Sequence, residues 1–125
     1  MDLLEKVTNL ENDADAFGFR WEKADQIIAQ IESECLEVKA HLDSEEPMNH
    51  LALQEEIGDL LHAVFSLCVF CKFSPRDTLD KTLTKFEGRL NAVKQLAKER
   101  GLMHLNGHSF EELMLLWETA KERVK

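Results

Sequence analysis

Two short acidic motifs carry the chemistry this sequence can do. One is Glu34-Cys-Leu-Glu37 and the other is Glu56-Ile-Gly-Asp59. Each sets two carboxylates three residues apart, a spacing that places both on neighbouring turns of one helical face. Between them lies Asp43-Ser-Glu-Glu-Pro47, where the proline disfavours helix at the residue before it. A turn there folds two helices into an antiparallel hairpin and brings the pairs to the same height. Four carboxylates, Glu34, Glu37, Glu56 and Asp59, then make a hard-oxygen cage suited to Mg²⁺, with Mn²⁺ as the alternative.

Helical periodicity places these acids beside apolar stripes. The first long segment carries Ala24, Ile27, Ile28, Ile31, Cys35, Val38 and Leu42 on one face, with Glu34 on its flank and Glu37 one step further out. The second carries Leu53, Ile57, Leu60, Leu61, Val64, Leu67, Cys68 and Cys71, with Glu56 at the edge. Asp59 shares an arc with Ala52, Ala63 and Phe70, while Glu55, His62 and Ser66 form the polar back. Carboxylates beside apolar stripes cost free energy unless a cation or a donor meets them; a solvated edge is the alternative reading. Gly58, between the acids, costs a helix roughly 1 kcal/mol against Ala and permits close approach of a ligand.

The elements that must hold this hairpin follow in chain order. Residues 1–16 read as a short helix with Leu3, Leu4, Val7 and Leu10 as its apolar set. An aromatic break, Phe17-Gly-Phe-Arg-Trp21, follows; it is a packed connector or a stacking surface for a planar ligand. The long helices are expected at about Glu22–Asp43, Met48–Phe73 and Pro75–Arg100. Ser74 caps the third, Asp77 stands at its capping-box position, and Gly101 stops it. Ser109 with Glu112 opens a last helix whose inward set is Phe110, Leu113, Leu116, Trp117, Ala120 and Val124. No strand-like alternation or internal repeat is evident, so the fold class is all-α: one domain over 1–125, a helical bundle around the central hairpin. Broad apolar faces suggest completion by dimerisation.

Bulk properties narrow the partners. The chain has 125 residues, 44% hydrophobic and 31% charged, with a net charge of −9. That balance argues against nucleic acid or an anionic membrane surface as partner, although a bound metal lets an acidic site take a phosphate ligand. No apolar run reaches membrane-spanning length, and the Met-Asp-Leu-Leu-Glu start is too charged for a signal peptide. Three cysteines, Cys35, Cys68 and Cys71, all on apolar stripes, suggest buried reduced thiols and a cytoplasmic location. Cys68-x-x-Cys71 lacks a second ligand pair for zinc, and Asp59-x-x-His62 occurs once where di-iron helices need Glu-x-x-His twice. Lys85 and Arg89 stand four apart on the flank of the third long helix, and Lys121 follows Trp117 by four on the last. Each could reach phosphate or remain ordinary solvated charge.

These residues resemble the MazG-type nucleoside triphosphate pyrophosphohydrolases over nearly the whole chain. The likeness rests on Glu34-x-x-Glu37 followed by Glu55-Glu-Ile-Gly-Asp-Leu-Leu61, on Gly18-Phe-Arg-Trp21, on Lys85-Phe-Glu-Gly-Arg89, and on Arg100-Gly-Leu102 with Leu116-Trp-Glu-Thr-Ala-Lys121. It implies an all-α oligomer built on a dimer (a homodimer or a dimer of dimers) and Mg²⁺-dependent cleavage of NTPs between the α and β phosphates. By the same likeness Glu34, Glu37, Glu56 and Asp59 bind metal, Lys85, Arg89 and Lys121 contact phosphate, and Trp117 shapes the nucleotide pocket. The sequence departs from the family pattern at Ser33, where relatives often repeat Glu, at Ala52, where some carry Lys, and at His62 in place of a common Phe. Those departures bear on substrate preference more than on the metal ligands. The expected activity is release of nucleoside monophosphate and pyrophosphate, removing unwanted or non-canonical nucleotides. A narrower dUTPase- or dCTPase-like enzyme, or a non-catalytic helical interaction module, stand as alternatives.

Overall fold

The computed structural model describes residues 1–44 and 49–125. They form five helices and no strand: α1 (Leu3–Phe17), α2 (Ala24–Asp43), α3 (His50–Phe70), α4 (Pro75–Glu99) and α5 (Phe110–Arg123). The fold is all-α, as the periodicity predicts. The expected turn at Asp43–Pro47 falls largely on residues 45–48, outside the described set. The described residues group into two compact units, 1–78 and 79–125. No single helix among them is long and apolar enough to cross a membrane.

Local chemistry sets the helix ends. Asp2 Oδ1 accepts from the Glu5 amide (3.0 Å) to open α1, and Gly18, at φ 96°, closes it in the left-handed conformation that favours glycine. Gln26 Oε1 accepts from the Lys23 and Glu22 amides at the start of α2. Asn49 Oδ1 accepts from the Leu51 and Ala52 amides at the start of α3. Ser74 caps α4 by accepting from the Asp77 amide, and Ser109 with Glu112 forms the expected capping box on α5.

In the first unit α2 packs along α3, and α1 lies against α3. With only residues 44–49 between them, helices packed over their length run antiparallel. The inward line of α2 is Ile27, Ile31, Glu34, Val38 and His41, all buried or half-buried. These positions alternate by four and three residues, the repeat of a knobs-into-holes seam. The stripe drawn from sequence is too broad: Ile28 and Leu42 are 40% and 55% exposed, and Cys35 is exposed. Those three of the stripe's seven residues face away from α3, and Glu34 sits in the seam rather than on its flank. Cys71 is also exposed and Cys68 half-buried, so the thiols are not the buried set expected. On α1, Leu3 and Leu10 are 77% and 58% exposed, because α3 covers only one side of that helix.

On the expected polar back of α3, Glu55 and His62 are exposed and Ser66 is the correction. Ser66 is buried, and both Ser66 Oγ (2.6 Å) and His62 Nε2 (2.7 Å) meet Glu11 Oε1 of α1. Those residues form the surface that receives α1. Gly58, expected to permit a close approach, has nothing within 4 Å of where a Cβ would stand.

The second unit has its own core of Leu96, Leu116 and Ala120, flanked by Ala92, Val93 and Leu105. Gly101, at φ 75°, stops α4. Gly88 allows the C-terminal Val124 to approach: a Cβ there would lie 3.1 Å from Val124 Cγ1.

Candidate metal centre

The α2–α3 seam brings three of the four sequence-predicted acids together. Glu34, Glu56 and Asp59 each offer a carboxylate oxygen within 4.8 Å of the others. Glu34 arrives from the seam line of α2; Glu56 and Asp59 arrive from adjacent turns of α3. Glu37 stands outside this set and is exposed, although its charge reaches Glu56.

Two observations describe the strain in this cluster. Glu34 Oε1 accepts from Gln30 Nε2 (2.7 Å), but Glu34 Oε2 is buried with no hydrogen-bond donor among the described residues. A buried acceptor left unpaired is costly. The Glu56 carboxyl is held above the ordinary glutamate range, chiefly by loss of solvation, then by the nearby carboxylates of Glu34, Glu37 and Asp59. His41 Nε2 stands 4.0 Å from Glu56 Oε1. Its position one seam step beyond Val38 was legible as spacing, but nothing in the sequence paired it with Glu56.

An all-oxygen, all-carboxylate donor set with one orphaned buried oxygen fits a hard divalent cation. Such an ion would meet Glu34 Oε2 and offset the mutual repulsion that raises Glu56. A proton offers the cluster partial relief only, since it satisfies one oxygen at a time.

The remaining predicted site residues lie in the second unit. Arg89 is half-buried, its Nε donates to the Val124 carbonyl (3.0 Å), and its guanidinium carbon lies 5.9 Å from the centre of the Trp117 ring. Trp117 also tilts against Phe86 at 5.8 Å. Lys121 Nζ is paired with Glu118 at 3.1 Å, and Lys85 is exposed. Arg89, Trp117 and Phe86 thus form one ordered group on facing turns of α4 and α5.

Comparison with known proteins bears on residues 22–94, which match the family described as MazG nucleotide pyrophosphohydrolase domain. The matched stretch contains all four acids, Lys85 and Arg89. The chain is 31% identical over 118 residues to the Thermotoga maritima protein named nucleoside triphosphate pyrophosphohydrolase/pyrophosphatase MazG, covering 94% of this chain and 44% of that protein. It is 38% identical over 79 residues to YabN, an uncharacterized Bacillus subtilis protein, covering 63% of this chain and 16% of YabN. An Escherichia coli nucleoside triphosphate pyrophosphohydrolase is 27% identical over 106 residues, covering 85% of this chain and 40% of that protein. The chain therefore spans less than half the length of these relatives.

Proposed function

We propose, from the premise that this chain belongs to the MazG nucleotide pyrophosphohydrolase domain family, that it hydrolyses nucleoside triphosphates to nucleoside monophosphate and pyrophosphate. The observation that carries this reading is the convergence of Glu34, Glu56 and Asp59 within 4.8 Å inside the matched region. The names borne by the T. maritima and E. coli relatives support it.

Glu34, Glu56 and Asp59 would hold Mg²⁺, which when bound supplies Lewis-acid neutralisation of the phosphates. The chain's own groups then have distinct tasks. Gln30 Nε2 donates to Glu34 Oε1 within the seam, so that carboxylate would be oriented before substrate arrives. Glu37, exposed and with its charge felt at Glu56, would be the acid that accepts a proton from the water attacking the α-phosphorus. Arg89, oriented by the Val124 carbonyl and the Trp117 face, is suited to bidentate contact with phosphate, and Lys85 and Lys121 to point-charge contact. Removal of unwanted nucleotides is the cellular task we assign to this activity.

Self-association belongs to the same proposal. Ile57, Leu61 and Val64 recur at helical spacing along α3 and are 42%, 55% and 42% exposed. Ile28 and Leu42 continue the same outward apolar character on α2. A second copy covering them would complete the bundle as a homodimer or a dimer of dimers.

Pyrophosphate release from a nucleotide panel, with and without Mg²⁺, tests the activity. Metal-dependent turnover by the wild-type chain, lost in Glu56→Ala while the helical circular dichroism spectrum persists, is the expected result. Undiminished hydrolysis by that variant would overturn the assignment.

A further inference from the structure

One face of α3 leads away from the acid cluster. Asp59, His62 and Ser66 follow one another at i, i+3 and i+7, which sets His62 about 4.5 Å and Ser66 about 10 Å along the helix from Asp59. That face enters a cavity of about 660 Å³ bounded by α1, the 18–21 connector and the last turns of α3. Its volume is that of a small-molecule site, for which roughly 300–1,000 Å³ is usual. Phe19, Trp21 and Phe70 supply aromatic walls. Phe19 is 81% exposed, a large ring offered to the cavity rather than spent on the core.

Of the polar residues that line the cavity, Asn12, Asp15, Arg20, His62 and Lys72 are exposed, whereas Glu11 is half-buried. Its side chain is only 17% exposed, and it is gripped by two donors that reach the same oxygen: His62 Nε2 at 2.7 Å and Ser66 Oγ at 2.6 Å both donate to Oε1. Glu11 Oε2 takes no donor among the described residues. Arg20, which also lines the cavity, is directed to Asp15 at 3.8 Å. The Glu11 carboxyl is thus held by two partners in an aromatic-walled pocket, with its second oxygen available to a ligand.

We propose that this cavity receives the base of the nucleotide whose phosphates sit at the Glu34, Glu56 and Asp59 cluster, and that Glu11 selects bases bearing an exocyclic amino group over their keto counterparts. The placement of the phosphates rests on the function proposed above; the base selection rests on Glu11 and its two donors. An amino group donates an N–H to Glu11 in a charge-assisted hydrogen bond. A keto oxygen in the same place meets a carboxylate oxygen, and two acceptors face each other in a half-buried site with neither satisfied. Sites built on such a pairing reject the mismatched analogue far more strongly than an apolar pocket does. Flat rings at the wall accept any base by stacking; Asn12, Arg20 and Lys72 are exposed, and the half-buried, doubly held Glu11 is the group to which discrimination is assigned. Modified cytosines and adenines that keep the amino group would remain substrates, while deaminated bases would be poor ones.

The test uses matched pairs that differ at that group, CTP against UTP and ATP against ITP, with saturating Mg²⁺. The wild-type chain is expected to favour the amino member of each pair by at least about tenfold in kcat/KM. Glu11→Gln, whose amide can accept from an amine or donate to a carbonyl, is expected to bring both ratios toward one. Equal or keto-favouring ratios in the wild type, or ratios unchanged in Glu11→Gln, would overturn the proposal. Equilibrium dialysis of CMP and UMP against the wild-type chain supplies a second readout that needs neither turnover nor the variant's folding. Tighter CMP binding supports the pocket; equal binding sinks it. If no triphosphate is hydrolysed at all, the hydrolase reading fails, and the CMP against UMP comparison still decides the base pocket.

Discussion

At the scale of single residues, the centre of the site is a carboxylate cluster that lacks compensation from the protein. Glu56 shows it: its folded-state pKa is raised, so the folded chain binds that proton more tightly than the unfolded chain does. Its favourable contribution to stability is therefore complete below the ordinary glutamate value of 4.5 and is lost as pH rises through the elevated one. Metal-free protein should accordingly melt at a higher temperature near pH 4.5 than its other carboxylates alone would dictate. Glu56→Gln should flatten that dependence; thermal melts across pH 4 to 8 of both proteins check it. Mg²⁺, bound as proposed, should raise the melting temperature at neutral pH, and the same charge deletion should remove most of that rise. Asp59→Asn should cut turnover by about a hundredfold or more, as loss of a preorganised electrostatic group does. An assay showing full activity in Asp59→Asn would remove that residue from the site. Much of the cluster was legible in advance, because an i, i+3 acid pair on a helix has one geometric meaning. Contacts between residues distant in sequence were not. Nothing local to Glu11 points to Ser66, 55 positions away, and a buried serine looks like a surface one until its partner helix is in place.

Among the helices, what the sequence fails to divide is an apolar face shared by two purposes. On α2, the set Ala24 to Leu42 looked like one stripe, yet only the Ile27, Ile31, Val38 line packs on α3 while Ile28 and Leu42 face outward. Periodicity measures which side is apolar, not how many neighbours that side serves. End signals were more direct: Ser74, Gly101 and Ser109 act where their side-chain chemistry places them, because caps depend on residues within one turn. Gly58 is the opposite case. Glycine in a helix interior costs roughly 1 kcal/mol relative to Ala, and no neighbour within 4 Å of a Cβ position compensates in the single chain. Gly58→Ala should therefore stabilise the isolated chain by about 0.5–1 kcal/mol in urea titration. A loss of stability instead would mean that something outside this chain, a substrate or a second copy, lies against that backbone.

For the molecule as a whole, the core of a single chain is small for its length. Ile27, Ala63, Leu96, Ala97, Leu116 and Ala120 are its buried apolar residues among those described, while Leu51, Leu61 and Leu115 are 74%, 55% and 71% exposed. Fully burying a large aliphatic side chain contributes about 1.5–3 kcal/mol, so the exposed row of Ile57, Leu61 and Val64 on α3 is a substantial unused driving force. Leu61→Glu should shift the chain to monomer in sedimentation equilibrium, if the proposed dimer uses that row; an unchanged mass would relocate the interface. The same helix that carries Ile57, Leu61 and Val64 also presents Glu56 and Asp59. Quantity then becomes a control variable. Where two copies pair over that row as proposed, dilution alone would switch catalysis off, and specific activity would climb with protein concentration, half-way near the pairing constant and level well above it.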